Sequence, residues 1–317
     1  MLARLQRITT IGLLALALAW AAGFVAAGHP VWALGGALAI LFGYAAFLAI
    51  EFVLLACVHG DDAAPRASPR QLVRAWWGEV VTAPRVFCWR QPFRSRAEPD
   101  HLPAQAQGRR GVLLVHGFVC NRGLWNPWMS RLRAAGVPFV AVNLEPVFGS
   151  IDDYVAILDA AARRLRDATG LPPLVVAHSM GGLAVRAWLQ QAEPGAAAHV
   201  ITIGTPHRGT WLARFGVTRN GLQMQMENGW LGELCRVEGA RPLIDGLASC
   251  YAGFTCFYSH CDNIVFPPST ATLPGADNRH VPATAHVHLA FQDAVFNEAA
   301  RRLGISPATA AGALAAQ

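Results

Sequence analysis

The segment Ala177-His178-Ser179-Met180-Gly181-Gly182 carries the best-placed nucleophile in the chain. A serine hydroxyl attacks a carbonyl only where its surroundings take its proton and steady the charge that forms. Ser179 falls where the apolar run at 174–177 must turn into a helix beginning near Gly181. A sharp turn of that kind lifts the hydroxyl above a sheet, and it needs small residues two before and two after because strand and helix approach closely. Ala177 and Gly181 meet that need, with Ala177 adding a methyl group where glycine is usual, and Gly182 gives further room. The alternative role, a serine that only caps a helix, needs no such spacing.

About sixty residues upstream, Val112-Leu113-Leu114-Val115-His116-Gly117-Phe118 reads as a buried strand ending in His-Gly. Gly117 lets backbone come close to the serine, and the N–H groups of Phe118 and Met180 are expected to receive the negative oxygen of a tetrahedral intermediate. His116 suits a hydrogen bond that anchors this loop better than acid-base work.

Short apolar runs at 112–116, 138–142, 174–178, 200–204 and 254–259 alternate with helical stretches near 124–135, 150–168, 180–192 and 286–303. That alternation predicts a mostly parallel sheet covered by helices, an α/β domain over 111–303. Its length is enough for one domain with its own core.

The N-terminal third is different. From Ile8 to Ile50 there is no Asp, Glu, Lys or Arg, a stretch that as helix would extend about 64 Å, two hydrocarbon thicknesses. Gly28-His29-Pro30 breaks it, so two spans are expected at about 8–27 and 31–56, within a membrane hairpin at 1–58. Arg4 and Arg7 precede the first span, and Arg66, Arg70 and Arg74 follow the second. This bias puts both outer ends, and with them the catalytic domain, on the cytoplasmic face of a bacterial inner membrane. A competing reading takes the first segment as a secretory signal, since Val25-Ala26-Ala27 resembles a cleavage site.

Residues 59–110 form a basic and aromatic linker. Between 66 and 96 seven arginines stand against one acidic residue, interleaved with Trp76, Trp77, Phe87, Trp89 and Phe93, as in a collar at the headgroup level. Six prolines from Pro65 to Pro103 argue against long regular structure there. Residues 304–317 read as a tail.

Composition removes several chemistries. All 26 basic residues are arginine, which excludes Schiff-base lysines, a Walker A lysine and Ser-x-x-Lys pairs. The net charge of +6 is modest and no basic block tracks a phosphate backbone, so nucleic acid is not an expected partner. Seven cysteines without a C-x-x-C pair suggest neither a zinc site nor a disulfide framework, although one bridge among Cys250, Cys256 and Cys261 is conceivable. With no H-E-x-x-H or EF-hand spacing, no metal and no organic cofactor is expected.

The stretches HGFVCNRGLW, NLEPVFGSIDDY, VVAHSMGGLAVRAWL, ITIGTPHRGT and SHCDNIVFP together resemble bacterial lipases of the α/β-hydrolase superfamily, over roughly 111–303. The AHSMGG elbow with alanine first is similar to that of Bacillus-type lipases; nothing in 1–110 matches a secreted lipase. The resemblance implies a chain order of serine, acid, histidine. Asp262, just after the run at 254–259, is the preferred acid, with Asp245 and Asp277 as alternatives. His286 is the preferred base because Ala285-His286 fits the family's Gly-His-x-x-Leu pattern with alanine for glycine; His288 is the alternative. His207, in Thr205-Pro206-His207-Arg208-Gly209, is expected to be structural. Residues 210–250, rich in Trp, Met and Leu, offer a cap or acyl-binding lid, or else helices packed on the core.

The expected activity is hydrolysis of acyl esters, lipase-like, through Ser179, His286 and Asp262. A small-ester esterase, a thioesterase or an acyltransferase can share the same triad, and a non-catalytic membrane scaffold can keep the fold.

Overall fold

The computed structural model describes residues 1–240 and 249–306. Six strands, all paired in parallel, form one sheet: β1 (Val112–Val115), β2 (Phe139–Ala141), β3 (Leu174–His178), β4 (His199–Ile203), β5 (Phe254–Tyr258) and β6 (Asp277–His280), in the spatial order β2-β1-β3-β4-β5-β6. All of β1 and all of β3 are buried, as central parallel strands must be when helices cover both faces of the sheet. On one face Leu158, Leu165 and Leu183 pack with Leu113 and Val175; on the other Trp125, Trp128 and Phe296 pack with Leu114 and Val176. Parallel pairing brings the carboxyl ends of β1, β3, β4 and β5 to one edge, where a doubly covered sheet binds its ligands.

The five expected strands are present within a residue or two. β6 was not foreseen: Asp277-Asn278-Arg279-His280 has no apolar member, because it lies at the sheet edge and keeps its side chains mostly in water. The expected helix at 286–303 is broken into His286–Leu289 and Asp293–Leu303. All seven cysteines are free, so the bridge among Cys250, Cys256 and Cys261 is not formed.

The N-terminal third forms α1 (Leu2–Ala26) and α2 (Pro30–Val58), meeting at the Gly28-His29 turn. Both are long and apolar enough to cross a membrane, with mean hydropathy 2.1 and 2.4 over their most apolar windows, of which only 6% and 17% is buried. A soluble core helix would hide such a surface. The hairpin closes on itself through Trp20, whose indole N–H donates to the Trp32 carbonyl at 2.9 Å. At its open end, Arg7 donates to the Pro92 carbonyl at 2.8 Å, while Phe52 and Leu55 pack with Ala75, Phe266 and Ala285.

The proline-rich stretch after the hairpin is more ordered than its composition suggests. A sixteen-residue helix, α3 (Pro69–Pro84), runs on through a π-helical turn (Arg85–Arg90) into a short helix (Gln91–Arg94). Pro69 stands at the first helical position, where its missing N–H costs nothing, behind a capping box in which Ser68 and Gln71 satisfy each other's backbone. Pro84 falls in the last helical position, and the wide turn that follows takes up the break it imposes. Proline here sets boundaries of helices and does not exclude them.

Candidate active site

β3 ends at His178 and the helix Met180–Gln191 begins one residue later, leaving Ser179 alone to reverse direction. It does so at φ 56°, ψ −133°, a strained backbone for a residue with a side chain. Its N–H is held by the Ile203 carbonyl at 2.8 Å. The neighbours must be small: a Cβ on Gly181 would lie 2.5 Å from the His116 carbonyl, and one on Gly117 would lie 2.7 Å from the Ser179 Cβ. Gly117 therefore sets the end of β1 directly against the serine, with Phe118 next in line. Met180 opens its helix, so its N–H has no intrahelical acceptor. Val119, following Phe118, also has positive φ, at 52°.

His116 holds this loop. Its Nδ1–H donates to the Gly117 carbonyl at 2.9 Å and its Nε2 accepts from the Leu144 N–H at 3.0 Å. Burial pushes its pKa down to about 4, which keeps the ring neutral and able to do both.

Asp262 follows β5 by four residues, and His286 stands at the start of its own short helix. His286 Nδ1 donates to Asp262 Oδ2 at 2.9 Å, with both side chains almost fully buried. Asp262 Oδ1 is fixed by the N–H groups of Ile264 and Val265 at 2.9 and 2.8 Å. With the proton on Nδ1, Nε2 of His286 is left as the proton acceptor. Burial by itself lowers the His286 pKa, but the Asp262 carboxylate, helped by Glu79 and Glu51, outweighs it and raises it. Ser179 and His286 open onto one cavity of about 830 Å³, together with Phe118.

The alternatives sit elsewhere. Asp277 pairs with Arg279 at 2.7 Å on the sheet edge, and Asp245 lies outside the described residues. The His288 ring packs on Gly78 of α3, and its Nδ1 has no hydrogen-bond partner. His207 is fully buried, with Nε2 3.0 Å from Thr202 Oγ1 and its carbonyl accepting from Arg186 at 2.8 Å.

Four polar residues around His286 were not singled out from the sequence. His178 Nε2–H donates to the His286 carbonyl at 3.1 Å, and the two rings lie 4.6 Å apart; burial holds the His178 pKa well below its ordinary value. Asn263 Oδ1 accepts the His286 N–H at 3.1 Å, and Asn263 Nδ2 donates to Glu51 of α2 at 2.6 Å. Glu79 of α3 accepts from the N–H groups of Val287 and His288 at 3.1 and 3.0 Å. One signal for Glu51 was there to be read: a lone carboxylate at the end of an otherwise uncharged span is a functional residue by default.

Residues 210–240 and 249–250, the described parts of the lid expected at 210–250, line none of this cavity; 241–248 lie outside the described residues. Met224, Leu231 and Leu234 pack into the core. The walls come from α1, α2 and α3.

The fold agrees with comparison to known proteins. A model of the alpha/beta hydrolase family matches residues 112–313, well over half of the chain, and the chain belongs to that family. Among curated proteins none matches. Among solved structures, lipase BlEst2 of Bacillus licheniformis in its mature form is similar with a TM-score of 0.53 at 18% identity, over 63% of this chain and 95% of that one. Lipase B of Aspergillus fumigatus is similar with a TM-score of 0.51 at 18% identity, over 68% of this chain but 59% of that one. At these identities the likeness is one of fold.

Proposed function

We propose that this chain is a membrane-anchored serine carboxyl-ester hydrolase of lipase type, with Ser179 as nucleophile, His286 as base and Asp262 as its orienting acid. The observation that carries the reading is the Asp262–His286 hydrogen bond, which leaves Nε2 free beside the cavity that Ser179 also faces. His286 takes the Ser179 proton as Oγ bonds to the ester carbonyl carbon, and the carbonyl π electrons move onto oxygen. The N–H groups of Phe118 and Met180 receive that charge. The intermediate collapses, the bond to the leaving alcohol breaks, and His286 returns the proton to the alcohol; water then repeats the cycle and frees the acid. Asp262 holds the tautomer throughout. Neither a metal nor an organic cofactor has a part in these steps.

The two long apolar helices support anchoring as a hairpin, and the flanking arginines support an inner-membrane protein with its catalytic domain on the cytoplasmic face. The solved lipases that share the fold support an acyl-ester substrate.

The test uses the full chain in lipid nanodiscs. Wild type is expected to hydrolyse acyl esters and to be labelled at Ser179 by a fluorophosphonate, whereas Ser179→Ala should lose at least about a thousandfold in kcat. A Ser179→Ala variant that keeps the wild-type rate overturns the reading. Protease added to sealed right-side-out vesicles should leave the catalytic domain intact; digestion there overturns the cytoplasmic assignment.

A further inference from the structure

The cavity above Ser179 is built in large part by the hairpin. Along α2 its lining runs from Ile40 through Gly43 and Tyr44 and on to Phe47, Leu48 and Glu51, the last four of these positions recurring at the spacing of three and four that marks one helical face. Leu13 and Leu14 of α1 stand opposite. From Glu51 beside Asn263 to Ile40 the face extends about 16 Å along the helix axis, away from the catalytic residues and toward the middle of the span. Nearly everything beyond Glu51 on this face is apolar. Phe42 and Phe47, which also line the cavity, and Ile50 beside them are more than half exposed, so the mouth of the cavity presents hydrocarbon-compatible surface.

The depth of this channel is fixed by α3. Tyr44 donates its hydroxyl to the Val80 carbonyl at 2.9 Å, and Trp76 donates its indole N–H to the Ala45 carbonyl at 2.8 Å, so α3 is held beside the middle of α2. Trp77 and Trp89 point outward from the same region, 60% and 57% exposed, and indoles favour the headgroup level. The part of the channel near Ile40 lies about 8 Å farther along α2 than Ala45, on the side away from Glu51.

We propose that the hairpin itself is the acyl-binding channel: a bilayer-resident ester reaches Ser179 sideways from the hydrocarbon, its chain lying along α2 from Glu51 toward Ile40, with Gly43 setting the usable chain length. This rests on the hydrolase reading above and goes further, by giving the membrane helices the specificity role that lipases of this fold could otherwise assign to a soluble cap. Gly43 is the telling position. A Cβ placed there meets no atom within 4 Å, so the position borders open space two helical turns from Glu51. A large side chain there needs no backbone shift and occupies the path of a long chain, while a short acyl group ends before it.

The experiment compares full-length wild type, Gly43→Ala and Gly43→Trp in nanodiscs on esters of one alcohol with acetyl, butyryl, octanoyl and palmitoyl chains. The expected result is that Gly43→Trp lowers the ratio of palmitoyl to butyryl hydrolysis by about ten-fold or more, the worth of a methylene or two in an apolar pocket, with a smaller change for Gly43→Ala. An unchanged ratio overturns the proposal. A second measurement needs no variant: wild type is labelled with a long-alkyl fluorophosphonate carrying a diazirine at the chain end, then irradiated. Cross-links at 38–44 or 13–14 support the channel, and cross-links confined to 210–240 overturn it. Failure of Ser179 to label at all, with no loss in Ser179→Ala, sinks the hydrolase reading itself and is distinguishable from both.

Discussion

Glu51 accepts a 2.6 Å hydrogen bond from the Asn263 amide, joining the long apolar helix α2 to the residue beside the proposed acid, Asp262, across 212 positions of chain. Asn263 in turn accepts the His286 N–H at 3.1 Å. The hairpin is therefore wired to the backbone of the proposed base, and its seating on the domain bears on where that imidazole stands. Both Glu51 and Asn263 are buried, so either loses more than a solvent-exposed bond would.

A double-mutant cycle measures this link. Glu51→Ala and Asn263→Ala should each lower kcat with KM little changed, and the double variant should be scarcely worse than the poorer single. The coupling expected for one buried hydrogen bond is about 1 kcal/mol. Strict additivity in kcat would show that the two residues act independently.

Glu79 governs pH behaviour. Burial pushes its pKa from an ordinary 4.5 up to about 7, although the backbone N–H groups of His288 and Val287 and the nearby His286 pull the other way. Once it ionises, toward and above pH 7, it favours the imidazolium form of His286. Replacing it with the neutral Glu79→Gln should lower the His286 pKa, so the acid limb of the kcat/KM profile moves to lower pH. The stability effect has a definite sign. Between pH 4.5 and about 7 the folded chain keeps a proton on Glu79 that the unfolded chain has given up, so this group's contribution falls as pH rises, by of order 3 kcal/mol across the window. Denaturant titrations at several pH values should show a less negative slope for Glu79→Gln than for wild type; parallel slopes would contradict the assignment.

Gly204, one residue past β4, adopts φ +54°, and a Cβ there would lie 2.9 Å from Asp262 Oδ2 and 3.1 Å from His286 Nδ1. Gly204→Ala thus strains the backbone and pushes on both partners of the acid-base pair. A loss of about a hundredfold or more in kcat/KM is expected, comparable to losing one oxyanion donor, in a protein that remains folded by circular dichroism. A variant with near-normal turnover would mean the pair can move aside without cost.

The elbow at Ser179 was legible because its demands are local: a strand, one polar residue and small neighbours fall within a few positions of each other. The proposed acid and base were picked out by the chain order that the family resemblance implies, Asp262 also by its place just after a predicted strand and His286 by the family's Gly-His-x-x-Leu pattern. Glu79 was hidden because a single carboxylate among seven arginines reads as a surface charge, and only the fold reveals that it caps the helix of His286. α3 was hidden because proline punctuates turns and helix starts alike, and the capping box that decides between them is a weak pattern by itself. β6 is a polar edge strand, identified by its hydrogen-bond partners on β5 and by nothing in its composition. At 210–250 the residue types suit a lid and core-packed helices alike, and Met224, Leu231 and Leu234 take the second course. Apolar helices that already satisfied a membrane reading gave no sign that α2 also lines the cavity above Ser179.

Arg186 provides a prediction away from the catalytic groups. Its guanidinium is completely buried, forked onto Glu238 through Nε at 2.9 Å and Nη2 at 2.6 Å, with Nη1 donating to the His207 carbonyl at 2.8 Å. Tyr251 adds its hydroxyl to Glu238 at 2.7 Å. Burial works against this charge, and the Glu238 carboxylate outweighs it, raising the Arg186 pKa. Such a pair stabilises little relative to well-packed apolar residues, but removing one partner strands the other. Glu238→Ala should therefore destabilise the protein by about 3–5 kcal/mol, whereas the double variant Arg186→Met/Glu238→Leu, which strands no charge, should recover most of that loss. Thermal unfolding of the three proteins decides it: if the double variant is as unstable as Glu238→Ala, the cost lies in lost packing and the lost hydrogen bond from Tyr251, and not in an unpaired buried cation.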